Sequence, residues 1–110
     1  MERKHKQDRW ERKLNKQVIN LEEEGHPVHF VTPKVLHDYG GMNYEAAKEM
    51  GFPWPKGFSK KGYLISATSC PRTQCKDLHH EHMEFTLMTD KGLEYWPAHL
   101  KALKAERDIK

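Results

Sequence analysis

The chain has 110 residues, 36% hydrophobic and 32% charged, with a formal net charge of +3. That length fits a single small domain whose core is modest, and its three tryptophans argue against disorder despite the polar composition. No apolar run approaches the ~20 residues of a membrane span, and no apolar stretch follows the basic start as it would in a signal peptide. The expectation is therefore a cytoplasmic protein without a membrane association.

The pattern along the chain predicts a small α+β domain over residues 1–110. A basic helix (1–24) precedes a core (25–110) with a small sheet and a C-terminal helix pair. In residues 2–24, Trp10, Leu14, Val18 and Leu21 recur at helical spacing and form one narrow apolar stripe. Glu22, Glu23, Glu24 and Gly25 close the helix. The first sixteen residues carry seven Lys/Arg against three acids, a net of +4, while the remainder nets −1. Such a helix either packs its stripe on the domain or offers its basic face to nucleic acid or another acidic partner.

Pro27–Val31 alternates and is β-rich, so it reads as a strand. Thr32-Pro33 resembles an N-cap followed by proline at the first helical position, predicting a helix from Pro33 to Tyr39 that Gly40-Gly41 breaks. Asn43 caps a second short helix, Tyr44 to Met50, ended by Gly51. The pair has a helix-turn-helix shape. Its second member carries two acids and one lysine, which suits packing better than a phosphate-lined groove. Phe52–Phe58 is a Pro- and aromatic-rich loop, expected to cover one side of the core or to wall a cleft. Lys60-Lys61-Gly62 turns into a second strand, Tyr63–Ala67. Either strand could offer an edge to an extended peptide.

Cys70 and Cys75 are expected as thiols rather than a disulfide. With His79 they would make an irregular zinc set, since their spacing matches no standard pair and a fourth ligand is lacking.

Residues 78–88 read LHHEHMEFTLM and contain His80-Glu81-x-x-Glu84. On a helix, His80 and Glu84 fall about 40° apart on one face, which Met83 and Leu87 bracket. A carboxylate facing an apolar surface is costly unless it is paired, protonated or bound to a metal. A metal accounts for both groups, because residues at i and i+4 can grip one ion from successive turns. Glu81, to the side, could hold a water as general base. His79 and His82 map to the far side and read as solvated surface. His5, His26, His29 and His37 receive no role. Gly92 ends this helix and Pro97 suits the first turn of the next. There His99, Leu103 and Glu106 lie within about 60° of one another, so a second helix also brings a His and a Glu to its apolar face. The two lie roughly 10 Å apart along the helix axis, so they are not expected to touch one ion together.

From His80 to Glu106 the chain reads HEHMEFTLMTDKGLEYWPAHLKALKAE. This run, about a quarter of the chain, resembles the zincin metallopeptidases, especially their gluzincin-type arrangement. It also resembles short phage-type proteins in which HE-x-x-E is followed by AH-x-x-A-x-x-x-E in the next helix. The resemblance implies that His80 and Glu84 are metal ligands and Glu81 the catalytic base, with His99 or Glu106 the third ligand. Zincins more commonly carry histidine at the Glu84 position. A carboxylate there makes the site more anionic and brings iron or manganese into consideration beside zinc. The implied activity is hydrolysis of a peptide or protein substrate, in a host cytoplasm if the protein is phage-encoded. The alternative is a non-catalytic protein whose metal joins two helices and whose basic helix binds nucleic acid or a protein.

Overall fold

The structure, a computed structural model, describes residues 2–107, with side chains from residue 9 onward. In chain order the elements are α1 (Glu2–Glu23), β1 (Val28–Val31), β2 (Gly41–Asn43), α2 (Tyr44–Met50), β3 (Tyr63–Ser66), α3 (Pro71–Asp90) and α4 (Tyr95–Arg107). They form the expected α+β domain. The sheet order is β1-β3-β2, with β1 parallel and β2 antiparallel to the central β3.

β3 is buried on both faces because helices and loops cover both sides of the sheet. Tyr63 and Ile65 point to one cluster, where the α1 stripe (Trp10, Leu14, Leu21) meets Cys75, Leu78 and Phe85 of α3. Leu64 points to the other, with Leu36, Met42, Ala46, Ala47 and Phe52. This alternation follows from the two-residue period of a strand. It makes β3 the layer on which both halves of the core are built. Val18 packs on the first cluster, so α1 is joined to the domain along its whole predicted stripe. The side chains of Arg3, Lys4 and Lys6, part of the expected basic arm, lie outside the described residues.

Three expectations need correction. Residues 33–39 form turns, not a helix: His37 (φ 51) and Asp38 (φ 68) take left-handed backbone, which stops helical propagation. Leu36 is fully buried there, and the chain must reverse to enter β2. Residues 33–50 thus contain one helix, and the helix-turn-helix shape is absent. The Gly40-Gly41 pair, read as a helix break, leads instead into a strand. A Cβ on Gly40 would lie 2.6 Å from Asp77 Oδ2, and one on Gly41 3.0 Å from Glu81 Cγ, so the missing side chains let β2 approach α3. Finally, Tyr63–Ser66 is the central strand and cannot offer an edge, since both its neighbours are already paired.

The loop after α2 covers the second cluster with Phe52, Trp54 and Phe58. α2 starts as predicted, with Asn43 Oδ1 accepting from Ala46 N, and ends at Gly51 in the left-handed region. α3 begins at Pro71, about two and a half turns before the motif. Ala98 and Ala102 of α4 are fully buried, and their small side chains fit the close packing of α4 on α3.

Candidate metal centre

α3 contributes His80, Glu81 and Glu84 on its buried side, and α4 contributes His99 and Glu106. The two helices bring three ligand atoms together. Glu84 Oε2 lies 2.9 Å from His80 Nε2 and 2.8 Å from His99 Nδ1, and the two ring nitrogens are 3.2 Å apart. Glu84 is only 2% exposed. Among the described residues, His80, Glu84 and His99 are the group whose ligand atoms lie close enough to hold one metal ion.

The triangle also fits a cation chemically. Zinc bound at 2.0–2.2 Å to tetrahedral N and O ligands separates those ligands by about 3.3 Å, somewhat wider than the three edges of 2.8–3.2 Å here. Protons alone satisfy the triangle poorly. An imidazole nitrogen either donates or accepts but does not do both. No placement of hydrogens therefore gives each of the three edges its own bond. A single cation at the centre meets all three lone pairs.

Glu106 occupies a different position from His99. Its Oε2 lies 3.3 Å from His80 Nδ1, on the opposite side of the ring from Glu84. The contact is electrostatic rather than a formed hydrogen bond, because Nδ1 has no partner in hydrogen-bonding geometry. A carboxylate at Nδ1 favours a proton there and leaves the Nε2 lone pair free toward Glu84 and His99. Two groups two turns apart on α4 thus engage one imidazole from its two nitrogens.

Glu81 is buried, and its Oε1 accepts from Asn43 Nδ2 at 2.9 Å. The same Nδ2 donates to Glu84 Oε1 at 3.0 Å. Burial, reinforced by the Glu84 charge, pushes Glu81 up to about 8. For His80, burial alone favours the neutral ring. The Glu84 hydrogen bond and the charges of Glu81, Glu84 and Glu106 outweigh it and raise its pKa. Asp77, one turn before His80, is pushed up to about 6 by burial and then by Glu106. Tyr95 stacks on His99 with its hydroxyl 3.3 Å from Nδ1. Burial, followed by the Glu84 charge, pushes this phenol up to about 12.

A cavity of about 530 Å³ opens over these groups. Its walls are Tyr39–Met42 on one side and α4 from Tyr95 to Glu106 on the other, with Asp77, His80, Glu81 and Glu84 between them. Among the described residues no lysine or arginine lines it, although the chain as a whole is basic. The Phe52–Phe58 loop lies outside the lining, so it covers core and does not wall this cleft.

Asn43, Asp77 and Tyr95 are site residues that sequence reasoning missed. Asn43 was visible only as a helix cap; a cap uses Oδ1 and leaves Nδ2 available, which is the one signal that pointed further. His82 also differs from its expected place on a solvated surface. It is half-buried, with Nδ1 2.8 Å from the Tyr63 hydroxyl and its ring edge-on to His26. The irregular cysteine set does not form part of the metal-ligating group: Cys75 belongs to the core cluster and Cys70 is exposed. Among the described residues, no helix is long and apolar enough to cross a membrane.

Comparison with protein-family models, curated proteins and solved structures finds no match to this chain.

Proposed function

We propose that the protein is a divalent-metal-dependent hydrolase with a zincin-like site, acting on peptide bonds. The observation that carries this reading is the convergence of His80 Nε2, Glu84 Oε2 and His99 Nδ1 beside buried Glu81 in an open cavity. Two imidazoles and one carboxylate form a catalytic zinc set, with iron or manganese as alternatives. A cation held there supplies Lewis acidity, polarising a carbonyl and making water acidic enough to lose a proton near neutral pH.

Glu81 is the group placed to take that proton. Asn43 engages its Oε1, leaving Oε2 for the water. Burial beside Glu84 raises its proton affinity, which favours taking a proton and later returning it to a leaving group. The Glu106 charge beside His80 Nδ1 favours the tautomer with its proton there, and Tyr95 stacks on the His99 ring. The substrate class is supported by β2, an edge strand whose Gly41 and Met42 line the cavity. Such an edge offers main-chain groups to an extended peptide.

A second reading is a metal-stabilised binding protein that uses the outer face of α1. Arg9, Arg12, Lys13 and Lys16 are all exposed on that helix, which favours an acidic partner, nucleic acid or protein. Elemental analysis of the wild type, His80→Ala and Glu84→Ala, followed by peptide hydrolysis with the wild type and Glu81→Gln, separates the readings. We expect near-stoichiometric metal in the wild type, lost in both alanine variants, and metal without turnover in Glu81→Gln. Retained turnover in Glu81→Gln refutes the mechanism. Metal surviving both alanine changes refutes the site. Bound metal with no hydrolysis by the wild type leaves the binding reading in place.

A further inference from the structure

Granted the metal site proposed above, we infer that Asn43 is the positioning residue that lets a carboxylate serve as its second ligand. Asn43 confines Glu84 to one-oxygen coordination and holds Glu81 beside it. A cation held there would meet three protein ligand atoms, as in catalytic zinc sites, with one further position left for substrate.

Asn43 is fully buried at the junction of β2 and α2, and all of its amide is engaged. Oδ1 accepts from Ala46 N at 3.0 Å, closing the first turn of α2. That bond settles which end of the amide is which, because a backbone N–H requires an acceptor. Nδ2 must then face α3, where its two hydrogens go to two different carboxylates, Glu81 Oε1 at 2.9 Å and Glu84 Oε1 at 3.0 Å.

Two consequences follow for Glu84. Its oxygens are assigned separate tasks: Oε2 faces His80 and His99, while Oε1 is turned away and hydrogen-bonded. A carboxylate held in this way offers a cation one oxygen rather than two. Two nitrogens and one oxygen leave the fourth tetrahedral position open, as catalytic zinc sites do. Without the Asn43 bond, Oε1 could swing to the same cation. The coordination number would rise toward that favoured by manganese or iron. A neutral amide holds Glu81 and Glu84 without bringing a positive charge into the site. A lysine or arginine in the same place would compete with the metal.

The test uses cobalt(II) as a spectroscopic substitute in wild type, Asn43→Ser and Asn43→Asp. Serine retains a capping oxygen for Ala46 N but has no second arm to reach α3. Aspartate retains the shape and the cap but turns an acceptor toward both carboxylates. We expect the wild type to show the intense visible absorption of four-coordinate cobalt. Asn43→Ser should show the weak absorption of a higher coordination number, with manganese(II) affinity gained relative to zinc. Asn43→Asp should likewise lose the four-coordinate absorption, since its second oxygen repels Glu84 Oε1 from the position that Asn43 gives it. X-ray absorption of the cobalt-loaded wild type provides a reading that requires no variant to fold. Four N/O neighbours without the short metal–carbon distance of a bidentate carboxylate are expected. A bidentate signature in the wild type, or a wild-type spectrum from Asn43→Ser, overturns the role of Asn43 while the metal site stands. Failure of the wild type to bind cobalt or zinc overturns the metal site and this role together.

Discussion

The most direct consequence of the triad is that Glu84 couples metal to stability. Glu84 joins α3 to α4 through His99 and to β2 through Asn43, so an ion bound there belongs to the folded state alone. At zinc one hundredfold above its dissociation constant, mass action adds about 2.7 kcal/mol. A domain of this size gains roughly 4 °C per kcal/mol, so Tm should rise by ~10 °C. Glu84→Gln keeps the shape but removes the anionic ligand. Losing an outer hydrogen-bond partner of a metal ligand already costs ten- to hundredfold in affinity, so a direct ligand should cost at least the upper figure. At the same zinc concentration, stabilisation then falls to about 0.4 kcal/mol, and the shift to ~2 °C. Calorimetric melts of both proteins, metal-free and with zinc, give the comparison directly. An equal zinc-induced shift in wild type and Glu84→Gln would refute the reasoning, whatever the absolute melting temperatures.

Three further outcomes are expected. Glu106→Gln should weaken zinc binding about ten- to hundredfold without abolishing it, because Glu106 meets His80 at the nitrogen opposite the triad; competition with a chelator measures this, and complete loss would make Glu106 a direct ligand. Leu78→Ala should cost about 2–5 kcal/mol in urea unfolding of the metal-free protein, since Leu78 is fully buried between α3 and the α1 stripe; a loss under 1 kcal/mol would contradict that packing. Asp77 should give the metal-free protein a pH dependence of defined sign. Its folded pKa is raised to about 6 from an ordinary 3.8, so its protonated form is favoured by folding. The stabilisation is full below pH ~4 and disappears as pH rises through ~6. Asp77→Asn should therefore gain on the wild type between pH 4 and 7 in chemical denaturation, and a constant difference would show that Asp77 is not held in this way.

Much of the fold was legible because it is local. The α1 stripe, the Asn43 cap with Gly51, and the His80/Glu84 face of α3 depend on spacings of three or four residues and on cap chemistry, which operate within one element. The helix over 33–39 was misread for the complementary reason. Thr32-Pro33 is a sound start signal, but burial of Leu36 and the reversal at His37 and Asp38 come from packing against distant chain. β2 was invisible, since three residues containing one glycine carry no pattern of their own and exist as a strand only through pairing with β3.

The site divides along the same line. The sequence by itself determined that His80 and Glu84 share one face of α3, and His99 and Glu106 one face of α4, because helical periodicity fixes relative direction within each helix. Only the tertiary structure decided that His99 meets Glu84 while Glu106 meets the other nitrogen of His80, since that depends on how two helices pack rather than on either one. It also decided that Asn43, 38 residues before Glu81, reaches both carboxylates. A hydrogen bond between residues so far apart is set by the close approach of β2 to α3, which the glycines before Asn43 permit and no local pattern records.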